Sequence, residues 1–275
     1  MGEWWYLVFS EFTDLTRTRY RMSRSLEGPW IAPEPDDFDG RAFYAAKTAS
    51  DGKGRFLFGW VPTRAEERDY NRWDWGGNLA VHELHQQKDG LLAVNVPSTI
   101  DTAWNQSVDA QFTLQKGARL SGKDITIDAT GSFGWAAAGA MPERCKIEAQ
   151  VQFEPGTRRC GIMMRTSNDL ESSYYVRLEP QNHRVVFDSW PRGSGPDHPT
   201  TSIDGGYMAG LDRWMTLAPG NPIELKVFVD RTIAVIYVDG RVATSARMYD
   251  LPTGRWSLFV EQGSAQFRNI KITTL

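Results

Sequence analysis

Cysteine is scarce in this chain: Cys145 and Cys160 are the only two among 275 residues. Two thiols cannot form a disulfide scaffold, and there is no CxxC pair to build a thiolate zinc site. They bracket the stretch KIEAQVQFEPGTRR, so either they face each other across a hairpin or they are two free buried thiols. Histidine is almost as rare. In a period-two strand His82 and Leu84 fall on one face and Glu83 and His85 on the other, which is not a chelating arrangement. No metal and no cofactor are expected. Long hydrophobic runs are missing too: nothing approaches the roughly 18 apolar residues of a membrane helix. The N-terminus lacks a basic segment followed by an apolar core, so the chain as given reads as cytoplasmic, without an export signal. Charge of one sign is also lacking. A net charge of -3, with both signs mixed throughout, gives no electrostatic reason for nucleic acid or an anionic membrane as partner.

Helical periodicity is nearly absent as well. Short segments of Val, Ile, Tyr, Phe and Trp, separated by Gly, Pro, Asp and Asn, predict an all-β chain. In the first part strands are expected at Trp4 to Ser10, Thr18 to Ser23, Ala42 to Thr48, Arg55 to Val61, Gly77 to Leu84 and Leu91 to Asn95. Their even spacing suits propeller blades. The pattern then weakens into polar residues. A second set of short strands follows, clearest in IELKVFVD, where Ile223, Leu225, Val227 and Val229 share one face. Hairpin signals at Val229-Asp230-Arg231 and Val238-Asp239-Gly240 argue for a two-sheet sandwich. The organisation read from this is blades over 1–97, a linker over 98–118 and a β-sandwich over 119–275.

Several strings carry a resemblance: GEWWYLVFSE, the TRYR string, RAFYAAKTASDGKGRFLFGW, WDWGGNLAVHEL and LKVFVDRTIAVIYVDG. Together they resemble the later blades and closing sandwich of glycoside hydrolase family 32, the β-fructosidases. The resemblance implies a partial, truncated five-bladed β-propeller followed by a C-terminal β-sandwich. It also implies hydrolysis of β-fructosidic bonds in sucrose or fructans by retaining double displacement. The family's catalytic carboxylates lie in a WMNDPNG-like stretch, in RDP and in EC, and none of these strings occurs here. The catalytic assignment is therefore none, and the chain alone is expected to be inactive. Met1 then reads as an internal methionine taken as a start.

Retention needs a nucleophile and an acid about 5 Å apart. The acids of the first part are Glu11, Asp14, Asp36, Asp37, Asp39, Asp69, Asp74 and Glu83, and most read as turn residues. By resemblance Asp39 is the best candidate for a sugar-contacting acid, since it precedes the RAFYA string. The family's acid stands immediately before F-Y-A, and here that place is Ala42. Tyr44 and Trp60 are candidate sugar-facing aromatics, because stacking a sugar's C–H face on a ring buries apolar surface without blocking its hydroxyls. The resemblance places Trp60 in the fructose pocket. Trp75, with Trp73, lies before Gly76-Gly77 and could shape a pocket rim. For all of these, packing between blades is the competing reading. Arg19 reads as a hydrogen-bond anchor. Trp135, Trp190, Trp214 and Trp256 read either as a carbohydrate-binding face or, as large aromatics in a sandwich more often do, as plugs of the core between the sheets. Three functions stand open: part of a fructosidase, a module that binds a fructose-containing saccharide without cleaving it, and an assembly protein. The last would be a homo-oligomer or the partner of a complementing N-terminal propeller fragment, joined through exposed strand edges.

Overall fold

The computed structural model describes residues 1–12, 16–115, 117–192 and 211–275, so Asp14 and most of the Pro191 to Pro199 loop lie outside the described residues. Alternating β-branched and aromatic residues produce strands almost throughout. In the first part these are β1 (Trp5–Glu11), β2 (Arg17–Ser23), β3 (Tyr44–Ser50), β4 (Arg55–Arg64), β5 (Trp73–Gln86) and β6 (Leu92–Asn95), followed by a short helix α1 (Ser98–Ala103). Next come β7 (Gln106–Val108), β8 (Thr113–Leu114), β9 (Ala118–Ser121), β10 (Asp124–Asp128), β11 (Phe133–Ala140), β12 (Arg144–Phe153), β13 (Arg159–Thr166), β14 (Ser173–Glu179) and β15 (Arg184–Trp190). Last are β16 (Asp212–Trp214), β17 (Ile223–Asp230), β18 (Ile233–Val238), β19 (Val242–Arg247), β20 (Arg255–Glu261) and β21 (Ser264–Thr274).

The strands form four antiparallel sheets. β1 pairs with β2, and β3 to β6 make a four-stranded meander, the construction of a propeller blade. The other two sheets face each other as a sandwich. One runs β19-β18-β17-β12-β21-β10-β9 with β7 beside β21, and the other β16-β15-β14-β13-β20-β11-β8. Residues 98–118, expected as a linker, carry α1 and two strands that pair into these sheets, β7 with β21 and β8 with β11.

The sandwich core lies between its two sheets. Ile223, Leu225, Val227 and Val229 all point into it, as their alternation predicts, opposite Ile162, Val176, Leu178, Leu258 and Val260. Cys145 and Cys160 are buried free thiols, one on each sheet, so the hairpin contact does not form. The outer face of the first sheet is covered twice. Trp104 after α1 meets Phe228 edge-on at 6.1 Å, while Tyr237 and Arg247 pack against the four-stranded sheet. His82 and Leu84 are buried there, whereas Glu83 and His85 face outward, matching the expected period of two. Among the described residues no helix is long and apolar enough to cross a membrane.

Candidate functional site

Two irregularities in the four-stranded sheet create a cavity. Tyr44 pairs with Trp60, but the next pair is Lys47 with Phe58, so Ala45 and Ala46 together stand opposite Gly59. Ala45 takes a left-handed φ of 52°. Such a bulge re-aims the side chain beside it. Farther along, Pro62 pairs with Gly77 and Arg64 with Trp73, so Asp74, Trp75 and Gly76 arc outward opposite Thr63 alone. Gly76 closes the arc at φ +102°, a conformation that favours glycine. Gly77 is needed for space: a Cβ there would stand 1.9 Å from the Val61 carbonyl oxygen. The Thr63 hydroxyl donates to Asp74 Oδ2 at 3.1 Å and ties the arc to β4.

The arc carries Trp75 out over Tyr44 and Trp60. The three rings meet edge to face, with centroids 5.9 Å (Tyr44–Trp60), 5.6 Å (Tyr44–Trp75) and 5.8 Å (Trp60–Trp75) apart. Phe12 approaches the outer edge of Trp75 at 6.0 Å. With Trp73 and Pro62 these rings wall a cavity of about 540 Å³, whose polar lining includes Arg41, Arg72 and Asp74. Trp75 is 73% exposed and Tyr44 8%, so the wall runs from a fixed base to an open lip. The Arg64 guanidinium lies 3.5 Å over the Trp73 ring and holds it from behind. A cavity with an aromatic wall and a few polar groups at its edge suits a small polyhydroxylated ligand. Three of the sequence candidates, Tyr44, Trp60 and Trp75, thus come together. Phe12 and Arg72 were missed: Phe12 lies just past the end of β1 and Arg72 just before the arc, and neither stands in a local pattern that marks a cavity.

Asp39 does not join them. It is 1% exposed and sits under the sandwich rather than in the cavity. Its carboxylate accepts the Ser245 backbone N–H at 2.7 Å and the Ser245 hydroxyl at 2.6 Å, while His82 Nε2 lies 3.0 Å from Oδ2. Burial works to raise its pKa, but the hydrogen bonds from His82 and Ser245 and the charge of Arg213 outweigh it and hold the carboxyl below the usual range. Asp39, His82 and Ser245 do not form a nucleophile triad. The serine hydroxyl bonds the carboxylate and not the imidazole, and the other ring nitrogen, Nδ1, lies 2.9 Å from the Tyr237 hydroxyl. The group is a polar lock between the four-stranded sheet and β18–β19. The shifted turn that would have turned Asp39 toward a sugar instead carries it inward.

Among the described residues the other acids of the first part have partners elsewhere, Glu83 lying 4.0 Å from His85 Nε2. Glu11 and Asp36 pair with Arg19, which confirms that arginine as an anchor, and Asp37 pairs with Arg17 and Arg213. Asp69 is buried against Tyr174. Among the described residues lining the cavity, Asp74 is the one carboxylate. No cluster of metal-ligating side chains occurs among the described residues. The sandwich tryptophans divide, against expectation: Trp256 is buried at 1% exposure and Trp135 is half-buried, but Trp190 and Trp214 are 50% and 60% exposed. The last two sit on the outer face of their sheet, near its end.

Comparison with known proteins agrees with this architecture. The family described as glycosyl hydrolases family 32 C terminal matches residues 96–274. No curated protein matches the chain by sequence. Similar solved structures include a fructosyltransferase from A. japonicus, with TM-score 0.65 and 14% identity over 98% of this chain and 53% of that one. An exo-inulinase from Aspergillus awamori gives 0.61 and 14% over 94% and 50%. A sucrose-6-phosphate hydrolase from Lactobacillus gasseri gives 0.60 and 14% over 94% and 48%. At such identities the likeness is one of fold, and this chain spans about half the length of each. On the family match over most of its length, the chain belongs to family 32 of the glycosyl hydrolases, whose C-terminal region it contains.

Proposed function

We propose that this chain supplies the aromatic wall of a fructose-binding pocket and binds β-fructosides without cleaving them by itself. On this reading β3 to β6 form one blade of a five-bladed propeller and β1–β2 half of another, with the sandwich behind them. The observation that carries it is the convergence of Tyr44, Trp60 and Trp75 on one cavity whose single described carboxylate is Asp74. Retaining hydrolysis needs two carboxyl groups about 5 Å apart, and inverting hydrolysis two about 6.5–9.5 Å apart. A second carboxylate must come from elsewhere, and losing one costs several powers of ten in rate. The names of the similar solved structures, a fructosyltransferase and an exo-inulinase, support a fructose-containing ligand.

The test is calorimetric titration with fructose, sucrose, inulin and levan, alongside an assay for released fructose. We expect binding without turnover, and about tenfold weaker binding in Trp75→Ala, the worth of one stacking ring. Turnover at ordinary enzyme rates, or Trp75→Ala binding like the parent, refutes the proposal.

A second reading, association, is favoured by one observation. Trp5 and Leu7 share a face of β1 and are each 51% exposed, and Leu79 on β5 is 70% exposed. Apolar strand faces left to water are hazards unless covered. A complementing set of blades or a second copy of the chain would cover them, and a monomer by sedimentation at micromolar concentration argues against the second copy.

A further inference from the structure

We propose that the sandwich sets the position of the arc that carries Trp75, and that Asp69 is the positioning residue through which it does so. The arc stands between two grips. On one side of it Arg247, at the end of β19, donates to the carbonyl oxygens of Val61 and Pro62 at 2.7 and 2.9 Å and to Asn78 Oδ1 at 2.7 Å. On the other side lies the loop 65–72, which joins β4 to β5 just beyond the Arg64–Trp73 pair. Within that loop the Asp69 carboxylate accepts the backbone N–H groups of Tyr249 and Asp250, at 2.7 and 3.3 Å, and the Tyr174 hydroxyl. The same hydroxyl oxygen accepts the Leu251 N–H at 3.1 Å. Arg247 to Leu251 is thus one short stretch of sandwich chain that holds the hairpin on both sides of the arc. Tyr70, next to Asp69, adds a hydroxyl contact to Ser189 on β15 at 2.5 Å.

The loop carries this hold from Asp69 to the rings. Ala65 N–H donates to the Arg72 carbonyl at 3.0 Å and Asn71 Nδ2 to the Ala65 carbonyl at 3.0 Å, which closes the loop on itself. The Arg64 guanidinium donates to the Asn71 carbonyl at 2.9 Å and lies 3.5 Å over the Trp73 ring, so loop and ring share one group. The loop does not choose this shape alone. Glu66 and Glu67 in succession take left-handed φ of 57° and 50°, which is unfavourable for residues with a side chain and persists where the surroundings impose it. Trp75 is 73% exposed, so the backbone that carries it, more than packing around the ring, fixes where it stands. Adhesion between the sheets does not account for Asp69. It is 1% exposed and, among the described residues, makes no ion pair, and a buried carboxylate without a cation is a poor adhesive. What it supplies is direction: donors from β14 and from the chain after β19 converge on its two oxygens and fix one point of the loop. Asp39, buried in the same seam, bonds Ser245 and His82 instead, and its hydrogen bonds reach neither loop nor arc.

The positioning role deepens the fructose-pocket reading and rests on it only for the ligand. Asp69→Ala, Tyr174→Phe and Asp39→Ala are made in the full chain labelled with fluorotryptophan, with melting temperatures confirming folding. The fluorine resonances of Trp73, Trp75 and Trp135 are assigned from Trp73→Phe, Trp75→Phe and Trp135→Phe. Asp69→Ala and, to a smaller extent, Tyr174→Phe are expected to shift the Trp73 and Trp75 resonances and leave that of Trp135 in place, whereas Asp39→Ala moves none of the three. Sucrose and levan then bind Asp69→Ala about tenfold more weakly than the parent, the worth of one misplaced stacking ring, and bind Asp39→Ala like the parent. Should Asp69→Ala fail to fold, Tyr174→Phe, which keeps the buried ring and removes only the hydroxyl, decides by the same resonances. Unmoved Trp73 and Trp75 resonances in the folded variants, equal movement in Asp39→Ala, or moved resonances with parent-like affinity overturns the proposal. Moved resonances in a chain whose parent binds no saccharide uphold the positioning role and refute the fructose pocket, while saccharide binding with unmoved resonances does the reverse.

Discussion

Around the Asp39 carboxylate, three donors converge from separate parts of the chain: Gly40 N–H beside it, Ser245 on β19 and His82 on β5. Asp39→Ala removes the acceptor and leaves them unsatisfied in a buried place, at about 1–3 kcal/mol per orphaned group. We expect the variant to lose about 3 kcal/mol in urea unfolding, with saccharide binding by the folded protein unchanged. Weaker binding at parent stability would return Asp39 to a ligand-contacting role. The two thiols allow a second check at this scale. Burial pushes both Cys145 and Cys160 up to about 12, so neither is a thiolate at neutral pH. Ellman's reagent should label neither in the native chain and both in urea. Labelling of the native chain would mean that the sandwich opens locally. Residue type together with the family resemblance nominates Tyr44 and Trp60, and a place just before Gly76-Gly77 nominates Trp75. The resemblance misplaced Asp39, because whether a turn acid faces solvent or a neighbouring sheet depends on a partner some 200 positions away, at Ser245.

At the scale of elements, the strands themselves were legible and their faults were not. Period-two runs such as IELKVFVD and the glycine turns indicated where strands lie, and β5 merely extends the expected Gly77 to Leu84 strand to Trp73–Gln86. Helix α1 went unseen, since six residues, STIDTA, carry no apolar period. It is held from outside by Asp101, whose carboxylate bonds Lys146 at 2.8 Å and Lys226 at 3.0 Å on the sandwich. The bulges that open the cavity are register events, set by how two strands meet and invisible in either strand alone. Gly77 exposes this dependence. Gly77→Ala drives a methyl into the Val61 carbonyl, so β4 and β5 must separate where the arc carrying Trp75 begins. Overpacking of this kind costs about 1–3 kcal/mol. The expected result is a lower urea midpoint together with a shift in tryptophan emission as Trp60 and Trp75 part, and an alanine variant with parent midpoint and emission would refute the steric account.

On the scale of the whole molecule, the four-stranded sheet and the sandwich share one hydrophobic cluster and are joined across it by polar contacts. Arg213 on β16 donates to the carbonyl oxygens of Asp37 and Asp39 at 2.7 and 2.8 Å. Arg247 on β19 donates to those of Val61 and Pro62 at 2.7 and 2.9 Å, and the Tyr70 and Ser189 hydroxyls lie 2.5 Å apart. Contacts so distributed tie the parts into one cooperative unit, and they make that unit sensitive to acid. For Asp37, burial works to raise the pKa, but Arg213 and Arg17 outweigh it and hold it low, as His82, Ser245 and Arg213 do for Asp39. A carboxyl depressed in the folded state contributes stability that is complete above its unfolded pKa, near 3.9, and is lost as pH falls through the folded value. Asp69, raised chiefly by burial, acts in the opposite sense: its contribution is present in acid and lost as pH rises. With two seam carboxylates against one, the net expectation is a urea midpoint steady above about pH 5 that falls below about pH 4 in a single transition, the fall being shallower in Asp39→Ala. Two separate transitions would show that the seam does not couple the sheets, and an equally steep fall in Asp39→Ala would remove that carboxylate from the account.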